Sequence, residues 1–274
     1  MTTIRKLVLA CMTVALSCNV SGAQDAPAAS EYRPSSGQAG KDVVWVPTPQ
    51  ALVDRMLDMA RVGKNDYLVD LGSGDGRTVI TAARRGVRAH GIEYNPDLVA
   101  LARRNAAEAS VTHLASFENA DIFETNFSKA SVVPLFVLSS LNVKLRPTLL
   151  AMRPGTRVVS NTFDMDDWQP DEQINAGGNC TAWCRAFKWV VPARVGGTWR
   201  MPDGELRLSQ TYQMLSGELT VGGKSIPISN ARMDGVRISF TAAGRRYTGE
   251  VAGAGIKGSI DGRRAWSATL YARS

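Results

Sequence analysis

Behind Pro49, apolar residues recur at helical spacing: Leu52, Val53, Met56, Leu57 and Ala60 share one face of a 3.6-residue period. Pro49 suits the first turn of a helix, so the spacing predicts one over Pro49–Met59. The rhythm then alternates. Tyr67–Leu71 is a short apolar strand that runs into glycines. Thr78–Arg85 reads as a helix, Val87–Ile92 as a strand, and Pro96–Glu108 as a second helix opened by Asn95. Phe117–Ala120 is a further strand, Ser131–Leu138 is a continuous apolar run, and Thr156–Thr162 is a strand after the Pro154-Gly155 turn. Short apolar strands separated by helices predict a mostly parallel sheet covered on both faces, the Rossmann-like α/β class.

The pattern changes from about Arg185. Segments Ala186–Val191, Thr198–Met201, Leu206–Met214, Gly217–Val221, Val236–Thr241, Tyr247–Val251, Ile256–Ile260 and Ala265–Tyr271 read as strands. Asp203-Gly204, Gly222-Gly223, Asp234-Gly235 and Asp261-Gly262 punctuate them as turns. With no helical period in this stretch, residues 203–274 are expected to form a small antiparallel β domain behind an α/β domain at 43–202.

The first 23 residues stand apart. Arg5 and Lys6 precede the apolar stretch Leu7–Leu16, and Ser21-Gly22-Ala23 supplies small residues for cleavage. That is the architecture of a secretory signal, and it is too short for a stable membrane span. Residues 24–42, rich in Ala, Ser, Gly, Pro and Gln, read as a flexible leader. An exported protein, periplasmic or secreted, is the expectation. Without the signal, Cys180 and Cys184 are the remaining cysteines. In an oxidising compartment they form either a small structural bridge, which needs a turn there, or two free thiols. Two thiolates with no histidine nearby are too few for a metal.

The chain has 274 residues, 44% of them hydrophobic, enough for one large domain or one domain with an appendage. Its net charge of +7 is spread along the sequence, which points away from nucleic acid, and no apolar run reaches membrane-span length.

Candidate chemistry sits in Asp70-Leu71-Gly72-Ser73-Gly74-Asp75-Gly76, directly after the first strand and ahead of a helix. Glycines there permit positive φ and close backbone approach to a ligand, and a helix N-terminus offers free N–H groups. The dinucleotide fingerprint would carry its third glycine where Arg77 stands, which disfavours a nicotinamide enzyme. Glu93 ends the next strand, where a carboxylate can accept both hydroxyls of a ribose. Asp121 ends the third, where an acceptor can take the exocyclic amine of adenine. Together they outline a nucleoside site.

These residues resemble the cofactor motifs of class I S-adenosylmethionine-dependent methyltransferases, over about residues 43–201. More narrowly, Trp45-Val46-Pro47-Thr48-Pro49, the loop from Asp70 to Arg77, and Leu138-Ser139-Ser140-Leu141-Asn142 are similar to small protein-lysine methyltransferases. That group includes the mitochondrial enzymes that modify ATP synthase and their bacterial relatives. Ser160–Met165 and Val190–Trp199 look like its closing segments.

The resemblance implies that Asp70, Gly72, Ser73, Gly74 and Gly76 hold the methionine portion and shape the loop. Glu93 would bind ribose, Asp121 adenine, and Thr48 would close the pocket. Leu138–Asn142 lacks the Asn-Pro-Pro-Tyr sequence of base methylators, which argues against DNA adenine as acceptor. Asn142 is a candidate to orient the acceptor, and Asp164, with Asp166, to hold a cationic substrate. The expected reaction is methyl transfer to an amine, a protein lysine or a small amine. The competing reading is an exported, non-catalytic nucleoside-binding module. In either case the β domain is a candidate surface for an envelope protein partner.

Overall fold

In the computed structural model, which describes residues 32–177 and 180–273, two sheets carry the chain. The signal assigned to residues 1–23 and the leader up to residue 31 lie outside the described residues. Pro34–Ser274 forms one compact unit.

The first helix, α1 (Gln50–Met59), buries Leu52, Val53, Met56 and Leu57, the stripe its period predicts. Next come β1 (Tyr67–Leu71), α2 (Arg77–Arg84), β2 (Arg88–Glu93), α3 (Pro96–Glu108), β3 (Ala115–Asn119), β4 (Val132–Leu135), α4 (Ser139–Leu150) and β5 (Arg157–Asn161). Asn95 caps α3: its side-chain oxygen accepts from the Asp97 N–H at 2.9 Å, with Pro96 in the first turn. β6 (Glu172–Asn175) and β7 (Arg185–Val190) complete a seven-stranded sheet in the order β3-β2-β1-β4-β5-β7-β6. β1 to β5 run parallel, while β7 lies antiparallel between β5 and β6. The chain leaves β1 towards β2 on one side while β4 lies on the other, so a crevice opens above their carboxyl ends.

The second sheet holds β8 (Gly197–Met201), β9 (Gly204–Thr211), β10 (Met214–Val221), β11 (Lys224–Pro227), β12 (Ser229–Asp234), β13 (Arg237–Ala242), β14 (Arg245–Ala252), β15 (Gly255–Ile260) and β16 (Arg264–Arg273). Neighbouring strands are antiparallel, and the β9–β10 pairing closes the sheet into a barrel, with β11 on the flank of β10. It takes in β8, so its first strand lies ahead of residue 203. Side chains fill the interior. Phe240 stacks on Tyr247 with centroids 4.7 Å apart, and Trp266 stands edge-on to both. The buried indole N–H groups of Trp199 and Trp266 donate to the carbonyls of Val195 and Thr248.

Leu206–Met214, one strand in the sequence pattern, is two. β9 turns into β10 at Tyr212-Gln213, with Tyr212 at φ 54 and no glycine to mark the turn. The tertiary partners supply the reason. The Tyr212 ring stacks on Trp168 at 5.8 Å, its hydroxyl meets Asp167, and buried Gln213 accepts from the Trp168 indole. Cys180 and Cys184 form a disulfide across a turn that carries Trp183 at positive φ. Among the described residues no helix is long and apolar enough to cross a membrane, and no three metal-binding side chains converge.

Candidate active site

The glycine loop lies where β1 ends. Gly72, Gly74 and Gly76 all hold positive φ, the conformation that costs a side chain most. The N–H groups of Gly72 and Ser73 donate to the carbonyl of Ile92, and that of Gly74 donates to Glu93 Oε2 at 2.9 Å. The other Glu93 oxygen accepts from the Asn95 N–H. One carboxylate at the end of β2 therefore fastens both the loop and the start of α3. Gly76 serves packing: a β-carbon there would meet the Phe117 ring at 2.7 Å and Ala102 at 2.9 Å.

A cavity opens over this loop, and Thr48, Asp70, Gly72, Ser73, Gly74, Glu93 and Asp121 line it. The sequence-predicted cofactor residues are thus brought together except for Gly76, which does not line the cavity and packs against Phe117 and Ala102. Thr48 is buried; its hydroxyl accepts from the Asn161 amide at 3.3 Å, and its carbonyl accepts from Arg77. Arg77 also forks onto Asp75, so it ties the segment before α1 to the glycine loop. Ser73 presses its hydroxyl over Gly91, a glycine the sequence pattern does not single out.

Asp70 is buried, and desolvation, with the charges of Glu93 and Asp75, pushes its carboxyl up to about 7. Asp121 moves the other way. A hydrogen-bonded ion pair with Lys41, and the Phe123 N–H, hold its carboxyl below the usual range. Lys41 also stands 4.5 Å from the centre of the Tyr94 ring. By composition Lys41 falls in the leader, yet residues 38–48 pass along the cavity wall. That stretch is pinned by paired backbone bonds between Gly37, Gln38 and Trp45. For residues 38–44, ahead of the Trp45–Pro49 motif, only the tertiary contacts reveal it.

Asn142 and Asp164 do not line the cavity. Asn142 is fully buried in α4, and its amide nitrogen donates to the carbonyls of Phe163 and Asp164 at 3.2 and 3.0 Å. Asp164 is exposed and accepts from Ser139. The pair binds the start of α4 to the segment after β5. The cavity wall does take in Leu141, the residue before Asn142 in α4, and Phe136, which follows β4.

A sheet of this order, with a glycine turn under an acid-lined crevice at its switch point, defines a Rossmann-like nucleoside-binding protein. The residues fit S-adenosylmethionine: a glycine cradle that a β-carbon at 74 would obstruct, and carboxylates at the ends of β1 and β2 and just past β3. The family described as the ANTKMT methyltransferase domain matches residues 70–172. A protein-lysine N-methyltransferase of Saccharolobus islandicus is 42% identical over 135 residues, covering 48% of this chain and 84% of that protein. The mouse adenine nucleotide translocase lysine N-methyltransferase is 36% identical over 137 residues, 49% of this chain and 59% of that one. Among solved structures, an RNA methyltransferase of Salinibacter ruber in complex with S-adenosyl-L-homocysteine is 49% identical. It covers 55% of this chain and 96% of that one, with a TM-score of 0.51. The chain belongs to this family of S-adenosylmethionine-dependent methyltransferases. It is an enzyme of that class, and the barrel strands lie beyond the matched domain.

Proposed function

We propose that the protein methylates the side-chain amine of a protein lysine. One observation carries this reading: the 42% identity to a protein-lysine N-methyltransferase spans 84% of that enzyme. The site chemistry is consistent with it. The bound cofactor supplies a methyl group on an electrophilic sulfonium, so the protein's work is alignment and exclusion of water. Asp70 and the loop from Gly72 to Gly76 are proposed to receive the methionine portion, Glu93 the ribose, Asp121 the adenine, and Thr48 to shut the crevice. Asn142 and Asp164 then act as positioning residues, holding the segments after β4 and β5 that face the acceptor.

Export is part of the proposal. The sequence of residues 1–23 has the parts of a secretory signal, and the Cys180–Cys184 bridge suits an oxidising compartment. The barrel, with Met214 and Tyr271 exposed, is proposed to dock an envelope partner. The experiment is to incubate the full chain with methyl-labelled cofactor and envelope extract and identify the labelled species by mass spectrometry. Methylated lysine in protein is expected. Label found in RNA or in small amines instead would overturn the lysine reading, and recovery of the protein from the cytoplasmic fraction would overturn export.

A further inference from the structure

Three aromatic rings from three segments meet beside the cavity. Phe136 follows β4 and lines the crevice, Phe163 follows β5, and Trp183 comes from the disulfide-bracketed turn. Phe136 and Phe163 are stacked with centroids 6.0 Å apart. Trp183 stands 5.8 Å from Phe136 and 5.9 Å from Phe163. The cluster runs from the cavity wall outward, where Trp183 is 42% exposed.

Packing alone does not explain Trp183. Trp168, Trp189 and Trp199 are fully buried, the usual outcome for a tryptophan placed for stability. Trp183 instead leaves much of its surface in water and holds φ at 56, a backbone conformation unfavourable for a bulky side chain. The Cys180–Cys184 bridge closes around it and keeps the turn in that shape. Strain and exposure retained together, next to a reactive crevice, suit a ligand surface.

The chemistry of the rings says which ligand. An aromatic face attracts an ammonium, and the attraction survives methylation of the nitrogen because the charge remains. Rings also strip water from the amine, which eases the loss of the proton a lysine must give up before it can attack. The exposed Asp164 directly follows Phe163 in the chain, with Asp166 two places further on, and adds negative charge beside that ring.

We propose that Phe136, Phe163 and Trp183 form the acceptor subsite, which takes the cationic side chain of a lysine, and that Trp183, pinned by the Cys180–Cys184 bridge, is its specificity-determining residue. This rests on the lysine methyltransferase reading above.

The test uses the full chain and a probe that needs no turnover, N-acetyl-Nε-trimethyllysine amide, titrated by calorimetry with N-acetyl-norleucine amide as the uncharged control. Trp183→Ala should weaken the cationic probe by about two- to thirtyfold, the span of a cation–π contact. Trp183→Phe should keep most of the affinity, and both variants should bind S-adenosylhomocysteine as the native chain does. The Cys180→Ser/Cys184→Ser variant should lose affinity as Trp183→Ala does; native affinity there would overturn the pinning. Equal affinity of Trp183→Ala and native chain, no binding of the probe, or equal binding of norleucine would overturn the subsite. Methyl label found on RNA and not on lysine in the extract experiment, with the probe still bound by the native chain, would overturn the lysine methyltransferase reading instead, and that measurement is independent of the probe titration.

Discussion

The indole nitrogen of Trp45 lies 2.7 Å from the point where a β-carbon on Gly74 would stand. The segment along the cavity wall and the glycine loop are thus fitted to each other at a position that tolerates no side chain. Gly74→Ala would have to displace Trp45 while also costing roughly 1–2 kcal/mol for left-handed backbone. The backbone cost should appear as lost stability, and displacement of Trp45 from the cavity wall should appear as weakened binding in calorimetric titration with S-adenosylhomocysteine. Affinity retained in this variant would mean that the loop is only a structural turn.

Glu93 holds the Gly74 N–H and the Asn95 N–H at 2.9 Å each, so it shapes the loop from below as well as facing the crevice. Glu93→Ala should weaken cofactor binding by about 1–3 kcal/mol, the loss of a charge-assisted hydrogen bond. An unchanged dissociation constant would remove Glu93 from the site.

The loop and its carboxylates were legible because each lies at a punctuation mark: a strand ends, a glycine or acid follows, a helix begins. Lys41 was not, since its partners Asp121 and Tyr94 are distant in sequence and its own neighbourhood has the composition of a linker. The Tyr212-Gln213 turn escaped for a related reason. Its positive φ is imposed by Asp167 and Trp168 rather than advertised by a glycine. β6 is an edge strand, exposed or half-exposed throughout, and its polar residues Glu172, Gln173 and Asn175 show no apolar alternation. Asn142 read as chemistry because sequence cannot show that its amide is engaged by two carbonyls of a neighbouring segment.

Asp70 should make the protein pH-dependent in a definite direction. Its carboxyl is raised to about 7 in the fold, whereas in the unfolded chain it titrates in the ordinary range near 3.8. Between those values the folded chain keeps a proton that the unfolded chain has lost. This group's contribution to stability therefore falls as pH rises across that window. A cationic amine on the bound cofactor favours the ionised form, so binding below about pH 7 should expel the proton and tighten as pH rises. Calorimetry in two buffers of different ionisation heat should detect the released proton in the native chain and not in Asp70→Asn. Equal proton release in both would assign the linkage to another group.

Lys41 clamps its segment over the crevice through Asp121 and the Tyr94 ring. Lys41→Ala should loosen the paired backbone bonds of Gly37, Gln38 and Trp45 without unfolding the sheet. Amide exchange at Trp45 should speed up in the variant, and raised salt should speed it in the native chain, while β1 and β4 keep their protection. Unaltered exchange at Trp45 would show that the backbone pairing alone holds the segment.

Gln213 joins the barrel to the first sheet through two bonds. Its side-chain oxygen accepts from the Trp168 indole at 3.0 Å, and its nitrogen donates to the Gln169 carbonyl at 2.8 Å. Trp168 is fully buried, so Gln213→Ala leaves its N–H without a partner in a dry site. That should cost roughly 1–3 kcal/mol and lower the melting temperature by about 2–4 °C for each kcal/mol. The crevice lies elsewhere, above β1 and β4, so affinity for S-adenosylhomocysteine should stay at the native value. A variant that melts like the native chain would mean that water can satisfy the indole and the two sheets do not depend on this link. One that loses cofactor affinity in proportion to its stability would show instead that the barrel braces the active site.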